Sequence, residues 1–253
     1  MRRVNIVDAL REAIGLEMDA DPSLMLIGED VRIGGGFAVD RGLVDRFGPE
    51  RVINTPISEI GFTGLAIGAA MNGMSAIVEY QFGDFVFCAM DQIVNQAAKL
   101  RYMSGGQVSV PVTFRLPVGA NRRGAQHAQC SESIFMNVAG LYVVVPSTAF
   151  DAKGLLISAI RNRNPVLFYE HKLLYTTGGE RSDLPDELVT DVPEEAYTIP
   201  FGEAVVRRHG NDVTVVATML MAHRAIHAAH ELAGKIDIEV IDPRTLIPLD
   251  VET

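Results

Sequence analysis

The chain has 253 residues, of which 48% are hydrophobic, and its formal net charge at pH 7 is −10 because 32 acidic residues outnumber 22 basic ones. This surplus of negative charge argues against nucleic acid or an anionic membrane as the main partner. The sequence has no apolar run of the roughly 18 residues that a membrane-spanning helix needs. Its first residues resemble neither a signal peptide nor a transit peptide. We therefore expect a cytoplasmic protein with one large domain, or one domain plus part of another.

The two cysteines, Cys88 and Cys130, are too few for a disulfide framework and lack the spacing of metal ligands. The simplest interpretation is a pair of small thiols in the core or near a site, in a reducing compartment.

Helices alternate with short apolar strands as far as residue 170. We predict strands near residues 24–28, 51–55, 75–81, 110–116, 141–145 and 166–170, with helices between them. Capping boxes at Asn5 with Asp8 and at Thr148 with Asp151 indicate two of the helix starts. This order predicts an α/β fold, a parallel sheet flanked by helices, with ligands at the carboxyl ends of the strands.

The composition changes after residue 175. We predict a first domain over residues 1–175, an acidic linker over 176–200 and a smaller, incomplete α/β domain over 201–253. The last segment has one βαβ unit, with strands near 213–218 and 236–241 and a helix near 222–233. One such unit cannot cover its own sheet, so we expect a piece of a longer protein or packing borrowed from a partner.

Residues 54–62 form the stretch around which the chain is organised. A strand ends there and a glycine-rich apolar helix begins, with Ser58 as its expected N-cap and Glu59 in its first turn. A first-turn carboxylate can simply suit the helix dipole. However, the following turns are so apolar that we expect the helix to be mostly buried. A desolvated carboxyl resists ionisation and can share a proton with a ring nitrogen of a ligand.

Three aromatic residues follow the predicted third strand. We expect Phe82 and Phe87 to pack in the core, whereas Phe85 could face a pocket and stack on a flat heterocycle. The three glycines at 34–36 lack a phosphate-binding motif and predict a flexible surface loop.

His127 stands between two glutamines in a loop after a predicted strand, where α/β folds place their chemistry. From the residues alone, a structural role and a functional role remain equally open. Three further histidines, His223, His227 and His230, share one helix face. Their spacing permits a metal, but a polar helix face is the favoured interpretation because no carboxylate or cysteine joins them.

Five segments taken together resemble the beta subunit of thiamin-dependent 2-oxo acid dehydrogenases, a transketolase-like family that acts on pyruvate, branched-chain 2-oxo acids or acetoin. The segments are TPISEIG at 55–61, DQIVNQAAK at 91–99, GAQH at 124–127, DAKGLL at 151–156 and YTIPFG at 197–202. The resemblance runs from residue 4 to the last residue. The acetoin and pyruvate members are most similar at EHKLLY (170–175) and EEAY (194–197).

The resemblance implies a pyrimidine-binding domain in an α₂β₂ heterotetramer, with thiamin diphosphate lying between the subunits. The alpha subunit would hold the diphosphate and magnesium. In this chain, Glu59 corresponds to the carboxyl that bonds the pyrimidine ring nitrogen, and Ile57 and Phe85 to other cofactor-binding positions. His127 corresponds to a histidine that handles protons or the lipoyl group.

The resemblance also implies a structural potassium ion. The corresponding positions are Val112, Ala159, Ile160, Asn162 and Asn164. Relatives often carry Asp where this chain has Asn162, which removes one charge from that site.

The implied activity is decarboxylation of a 2-oxo acid or cleavage of acetoin, followed by transfer of the acyl group to the lipoyl group of an acyltransferase component. The sequence does not choose among these small-molecule substrates. Two alternatives stay open: a non-catalytic or remnant interaction subunit of such a complex, and a single-chain thiamin enzyme. The latter is disfavoured because no diphosphate-binding half precedes residue 1.

Overall fold

The structure is a computed structural model that describes residues 2–120, 122–179 and 184–253. The helices are α1 (Ile6–Ala20), α2 (Leu43–Phe47), α3 (Glu59–Met71), α4 (Ala98–Met103), α5 (Glu132–Met136), α6 (Ala149–Ile160) and α7 (Met219–Glu231). The strands are β1 (Leu24–Gly28), β2 (Val52–Asn54), β3 (Ser75–Glu79), β4 (Val112–Val118), β5 (Tyr142–Val144), β6 (Val166–His171), β7 (Val205–Arg208), β8 (Val213–Val216), β9 (Ile238–Asp242) and β10 (Thr245–Ile247).

A seven-stranded sheet in the order β10-β5-β6-β4-β3-β1-β2 organises most of the described residues. Its strands from β5 to β2 are parallel, and β10 pairs antiparallel with β5. Every residue of β1 and β4 is buried, as expected for strands covered on both faces. The predicted α/β fold with a parallel sheet flanked by helices is therefore confirmed.

Local capping signals place the two long helices that pack along each other, α1 and α6. The Asn5 side chain accepts a hydrogen bond from the Asp8 backbone N–H at 2.8 Å, and Thr148 accepts one from Asp151 at 3.2 Å. These bonds satisfy backbone donors that the first helical turn leaves free. Both predicted capping boxes thus mark true helix starts.

A second, three-stranded sheet has the order β7-β9-β8. Strands β8 and β9 are parallel and joined by α7, which is the predicted βαβ unit, whereas β7 and β10 were not predicted. A small separate core supports this sheet, with members Leu188, Ile226, Ala229, Ile238 and Val240.

The proposed division at 1–175, 176–200 and 201–253 remains a prediction. Strand β10 belongs to the last segment but lies in the first sheet. In the described part of the linker, Leu188 packs in the second core and Ile199 in the first. Residues 180–183 of that linker lie outside the described residues.

A buried group of charges lies beneath strand ends β3, β4 and β6. The guanidinium of Arg115 bonds both carboxylate oxygens of Glu170 at 2.7 and 2.9 Å, Asp40 at 3.0 Å, and Glu79. Tyr175 donates a hydrogen bond to Glu170 at 2.8 Å. We call these residues the Arg115 cluster, and its charged side chains are at most 3% exposed.

The loop at residues 34–36, predicted as a flexible surface loop, packs at Gly35 against the Arg115 cluster, while Gly36 is exposed. Gly35 has φ of +69°, and a β-carbon there would overlap Glu79 and approach Asp40 at 2.9 Å. Only glycine satisfies both the backbone conformation and the close approach. Gly35 therefore serves packing against buried charge.

Across the three described ranges, no helix is long and apolar enough to cross a bilayer.

Candidate functional site

Polar and aromatic side chains meet at the carboxyl edge of the seven-stranded sheet. Glu29 directly follows β1, Glu59 follows β2, Phe85 follows β3, His127 follows β4 and Lys172 follows β6. The carboxyl ends of neighbouring parallel strands lie at one edge of a sheet, and this is where α/β proteins bind ligands. The sequence-predicted residues Glu59, Phe85 and His127 all lie on these connections.

Glu59 is the first residue of α3 and is partly buried. Ser58 occupies the N-cap position as predicted, but its hydroxyl donates to the carbonyl of Pro56 at 3.3 Å and makes no capping hydrogen bond to the helix. No ion pair to Glu59 occurs within the described ranges. Its carboxyl is therefore available to a ligand.

Helix α3 is not mostly buried, which corrects the prediction. Ile60 and Leu65 are 52% and 53% exposed, and Ile57 just before the helix is 82% exposed. Only one side of the helix packs on the sheet, through Phe62, Ala66 and other small or apolar residues. The other side leaves an apolar surface beside Glu59.

Sequence reasoning missed Glu29, a second carboxylate beside Glu59. It is 6% exposed, and its Oε1 atom has no hydrogen-bond partner in the described part of the chain. Burial raises the pKa of Glu29 to about 6, and repulsion from Glu59 and Asp30 adds to the shift. The signal that could have found it is its position, directly after the first buried strand. Two interacting carboxylates at one site can hold a proton near neutral pH.

Two phenylalanine rings enclose the His127 ring. The ring centroid of His127 lies 4.6 Å from that of Phe82 and 5.4 Å from that of Phe85, both edge-to-face. Phe82 is buried as predicted, whereas Phe87 is 36% exposed and does not fill the core. Phe85 is partly buried, and its role beside the ring of a ligand stays a prediction.

Two tethers hold the loop that carries His127. Lys172 donates a hydrogen bond to the His127 carbonyl, and Asp84 accepts from the backbone and side chain of Gln129 at 3.2 and 2.9 Å. Burial lowers the pKa of Lys172, an effect that nearby Asp84 opposes. Sequence reasoning did not single out either Lys172 or Asp84.

Four buried polar atoms near this edge have no hydrogen-bond partner among the described residues: Glu29 Oε1, Thr55 Oγ1, Asp84 Oδ2 and His127 Nδ1. Buried polar atoms are normally paired. Unpaired donors and acceptors at one edge fit a polar heterocycle such as the aminopyrimidine of thiamin, with an aromatic wall beside them. The residues present therefore fit that cofactor.

The histidines of the predicted polar helix face lie on α7. His223 is buried and bonds the Ser147 carbonyl at 2.7 Å, so it does not belong to a polar surface, whereas the exposed His230 pairs with Glu187 at 3.0 Å. No cluster of three or more potential metal ligands occurs in the residues that the structure describes. Cys88 and Cys130 are both exposed, so neither is a core thiol, whereas the alternative of a thiol near a site stays open for Cys130, which directly follows Gln129 in the His127 loop.

The five predicted potassium positions lie away from this edge. Val112 begins β4, Ala159 and Ile160 end α6, and Asn162 and Asn164 form the turn that follows. The side-chain oxygen of Asn162 accepts bonds from Asn164 at 3.0 and 3.1 Å. That of Asn164 accepts one from Arg101 at 2.8 Å.

The fold and the site together define a transketolase-like pyrimidine-binding protein. The family described as "Transketolase, pyrimidine binding domain" matches residues 2–177, and "Transketolase, C-terminal domain" matches residues 202–253. A solved structure described as "Split gene transketolase, inactive beta4 tetramer" has a TM-score of 0.74, covers 96% of this chain and 72% of its own, and is 23% identical. That likeness concerns the fold.

Curated relatives narrow the class. Acetoin:2,6-dichlorophenolindophenol oxidoreductase subunit beta of Cupriavidus necator is 47% identical over 265 residues, covering 100% of this chain and 75% of the relative. The 2-oxoisovalerate dehydrogenase subunit beta of Bacillus subtilis is 43% identical over 255 residues, with coverage of 100% and 75%. The pyruvate dehydrogenase E1 component subunit beta of Rickettsia felis is 44% identical over 254 residues, with coverage of 99% and 74%. The chain belongs to this family of dehydrogenase beta subunits, as the sequence motifs predicted.

Proposed function

We propose that this chain is the beta subunit of a thiamin-dependent enzyme that decarboxylates a 2-oxo acid or cleaves acetoin and passes the acyl group to a lipoyl group. The observation that carries the proposal is that Glu29 lies beside Glu59, and Phe85 beside His127, on connections at the carboxyl edge of one sheet. Buried polar atoms of Glu29 and His127 have no hydrogen-bond partner among the described residues. Curated relatives named for acetoin, pyruvate and 2-oxoisovalerate support this reaction class.

Each site residue has a task in this proposal. Glu59 binds a ring nitrogen of the aminopyrimidine and holds or shares its proton, while Ile57 and Phe85 pack against the ring. When bound, thiamin diphosphate supplies the nucleophilic carbon and the electron sink for breaking a bond beside a carbonyl. His127, whose Nδ1 atom is buried and unpaired among the described residues, exchanges a proton during acyl transfer.

An alpha subunit is the partner we propose for the exposed side of α3. Ile57, Ile60 and Leu65 form an apolar surface directly beside Glu59, and such surfaces often mark protein interfaces. In an α₂β₂ heterotetramer the alpha subunit would supply the diphosphate and magnesium site. The lipoyl acyltransferase component would carry the lipoyl group that accepts the acyl group.

The test is co-expression of this chain with an alpha subunit of the same family, without that subunit's own beta partner. Thiamin-dependent turnover is then measured with pyruvate, acetoin and branched-chain 2-oxo acids. We expect a stable complex that binds thiamin diphosphate and turns over at least one of these substrates. Binding without turnover of any substrate would favour the non-catalytic alternative. If the chain binds neither the alpha subunit nor the cofactor, the proposal is refuted.

We also propose a potassium ion held by backbone carbonyls of Val112, Ala159, Ile160, Asn162 and Asn164. The side-chain oxygens of Asn162 and Asn164 are already engaged, which leaves main-chain oxygens for an ion.

Asn162→Asp should strengthen potassium binding because it restores one negative charge. We expect potassium chloride to raise the free energy of unfolding of the variant by about 1 kcal/mol more than that of the wild type. The measurement is urea unfolding in potassium chloride against choline chloride at equal ionic strength. An equal response of the two proteins would argue against an ion at this turn.

A cytoplasmic location is likewise a proposal, supported by two exposed cysteines that are unpaired. Fractionation of cells that produce the tagged protein would test it, and recovery outside the cytoplasm would contradict it.

A further inference from the structure

We propose that Lys172 is a positioning residue for His127. Its ammonium group fixes the backbone of the His127 loop, and so the direction of the imidazole ring, for the acyl-transfer step. This inference rests on the proposed function, and it assigns a task to a lysine that lies outside the set of residues expected to touch the cofactor.

The position of Lys172 makes it a rigid anchor. It directly follows β6 and begins a short 3₁₀ turn, Lys172–Leu174. The residue is only 6% exposed. A lysine that gives up hydration in this way needs strong partners to remain charged. The structure supplies them as the His127 carbonyl and the face of Phe82, whose centroid lies 5.0 Å from Nζ.

The His127 side chain, in contrast, is restrained by aromatic contacts and not by a hydrogen bond to its Nδ1 atom. Its Nδ1 atom has no hydrogen-bond partner among the described residues, and its ring rests edge-to-face on Phe82 and Phe85. Its backbone N–H reaches the Gly124 carbonyl at a long 3.3 Å. The position of the His127 backbone therefore determines the direction of its ring, and Lys172 donates a hydrogen bond to the carbonyl of that same residue.

Phe82 joins the two residues into one unit. Its ring contacts the imidazole of His127 on one side and the ammonium of Lys172 on another. The second tether, from Asp84 to Gln129, holds the loop two residues further on. Removing the Lys172 ammonium should therefore leave the loop attached but release the His127 end.

The test uses Lys172→Met, which keeps the length and loses the donor, and Lys172→Arg, which keeps a cation. In the complex with the alpha subunit, we expect Lys172→Met to lower the rate of acylation of a free lipoyl domain about tenfold, because small misplacement of a catalytic group is costly. The dissociation constant for thiamin diphosphate should change by less than about twofold, since Glu59 is untouched. Lys172→Arg should recover part of the rate.

A double-mutant cycle separates positioning from a general structural effect. In a His127→Ala background, Lys172→Met should slow acylation by less than about twofold, because the group that it positions is gone. An equal tenfold loss in both backgrounds would overturn the proposal. So would an unchanged rate for Lys172→Met in the wild-type background.

Lys99→Met is the matched control, since Lys99 also donates to a backbone carbonyl, that of Ala139, far along the chain. It should leave acylation unchanged. Amide hydrogen exchange over residues 124–129 gives a readout without turnover, and Lys172→Met should accelerate it while Lys99→Met should not. If Lys172→Met leaves amide exchange over these residues unchanged, the proposal that Lys172 holds the loop is overturned, even if the enzyme is active. If the wild-type complex neither binds thiamin diphosphate nor acylates a lipoyl domain, the proposed function fails, and the role of Lys172 in acyl transfer fails with it.

Discussion

Glu59→Gln should abolish turnover when the chain is assembled with an alpha subunit, lowering kcat by about a thousandfold or more. A glutamine keeps the shape and one hydrogen bond, but it cannot hold and return the proton that the pyrimidine nitrogen needs, and proton-transfer groups of this kind contribute roughly 10²–10⁴-fold. The measurement is kcat with each accepted substrate at saturating thiamin diphosphate.

The variant should fold normally, because Glu59 lies at a helix start and has no ion pair in the described part of the chain. Glu50→Gln is the matched control, since Glu50 is an exposed glutamate in the turn before β2, and its kcat should equal that of the wild type. If the kcat of Glu59→Gln lies within about threefold of the wild-type value, Glu59 has no catalytic role.

Arg115→Met should be the most destabilising single substitution in the sheet. It removes the one guanidinium that Asp40, Glu79 and Glu170 share and leaves their carboxyls buried without their cation. Breaking a buried ion pair from one side costs about 3–5 kcal/mol. We expect this loss in urea unfolding, or no folded protein at all.

Glu79→Gln is the companion variant, and it should cost about 1 kcal/mol or less. Three carboxylates facing one guanidinium carry surplus negative charge. Burial raises the pKa of Glu79 well above its usual range, repulsion from Asp40 adds to this, and Arg115 opposes it. A neutral glutamine therefore resembles the protonated acid. If Glu79→Gln unfolds the protein as severely as Arg115→Met, Glu79 must instead be ionised in the native cluster.

The direction of the pH dependence follows from this raised pKa. The stabilisation that a protonated Glu79 provides is complete below the unfolded-state pKa of about 4.3 and is lost as pH rises through the higher folded-state value. The wild type should therefore lose stability relative to Glu79→Gln as the pH rises. Urea unfolding at about pH 5, 7 and 9 measures this difference, and a constant difference would contradict it.

The regular elements were predictable where short-range physics determines them. Strand β1 has the bounds expected from its apolar run, and α1 begins at the capping residue Asn5. The helix predicted between the third and fourth strands is instead a 3₁₀ segment, Gly83–Ala89, then a π-helical segment, Gln92–Ala97, and then α4. Which of these hydrogen-bond patterns forms depends on packing against neighbouring elements, and the apolar periodicity does not report it.

Other features depended on contacts that no local pattern shows. Glu29 and Lys172 gain their roles from the pairing of β1 with β2 and of β4 with β6, which brings distant segments together. The sequence of helix α3 predicts a core helix because most of its residues are apolar or small, yet Ile60 and Leu65 are exposed. Composition cannot distinguish a side chain buried in its own chain from one that another chain would cover.

Strand β10 also sets a limit on how the protein can be divided. It hydrogen-bonds along β5, so cutting the chain before residue 201 would strip the outer neighbour from β5. Bare backbone donors and acceptors at a sheet margin recruit strands from other molecules. A truncated pyrimidine-binding domain should accordingly self-associate in solution even though its sheet interior is complete.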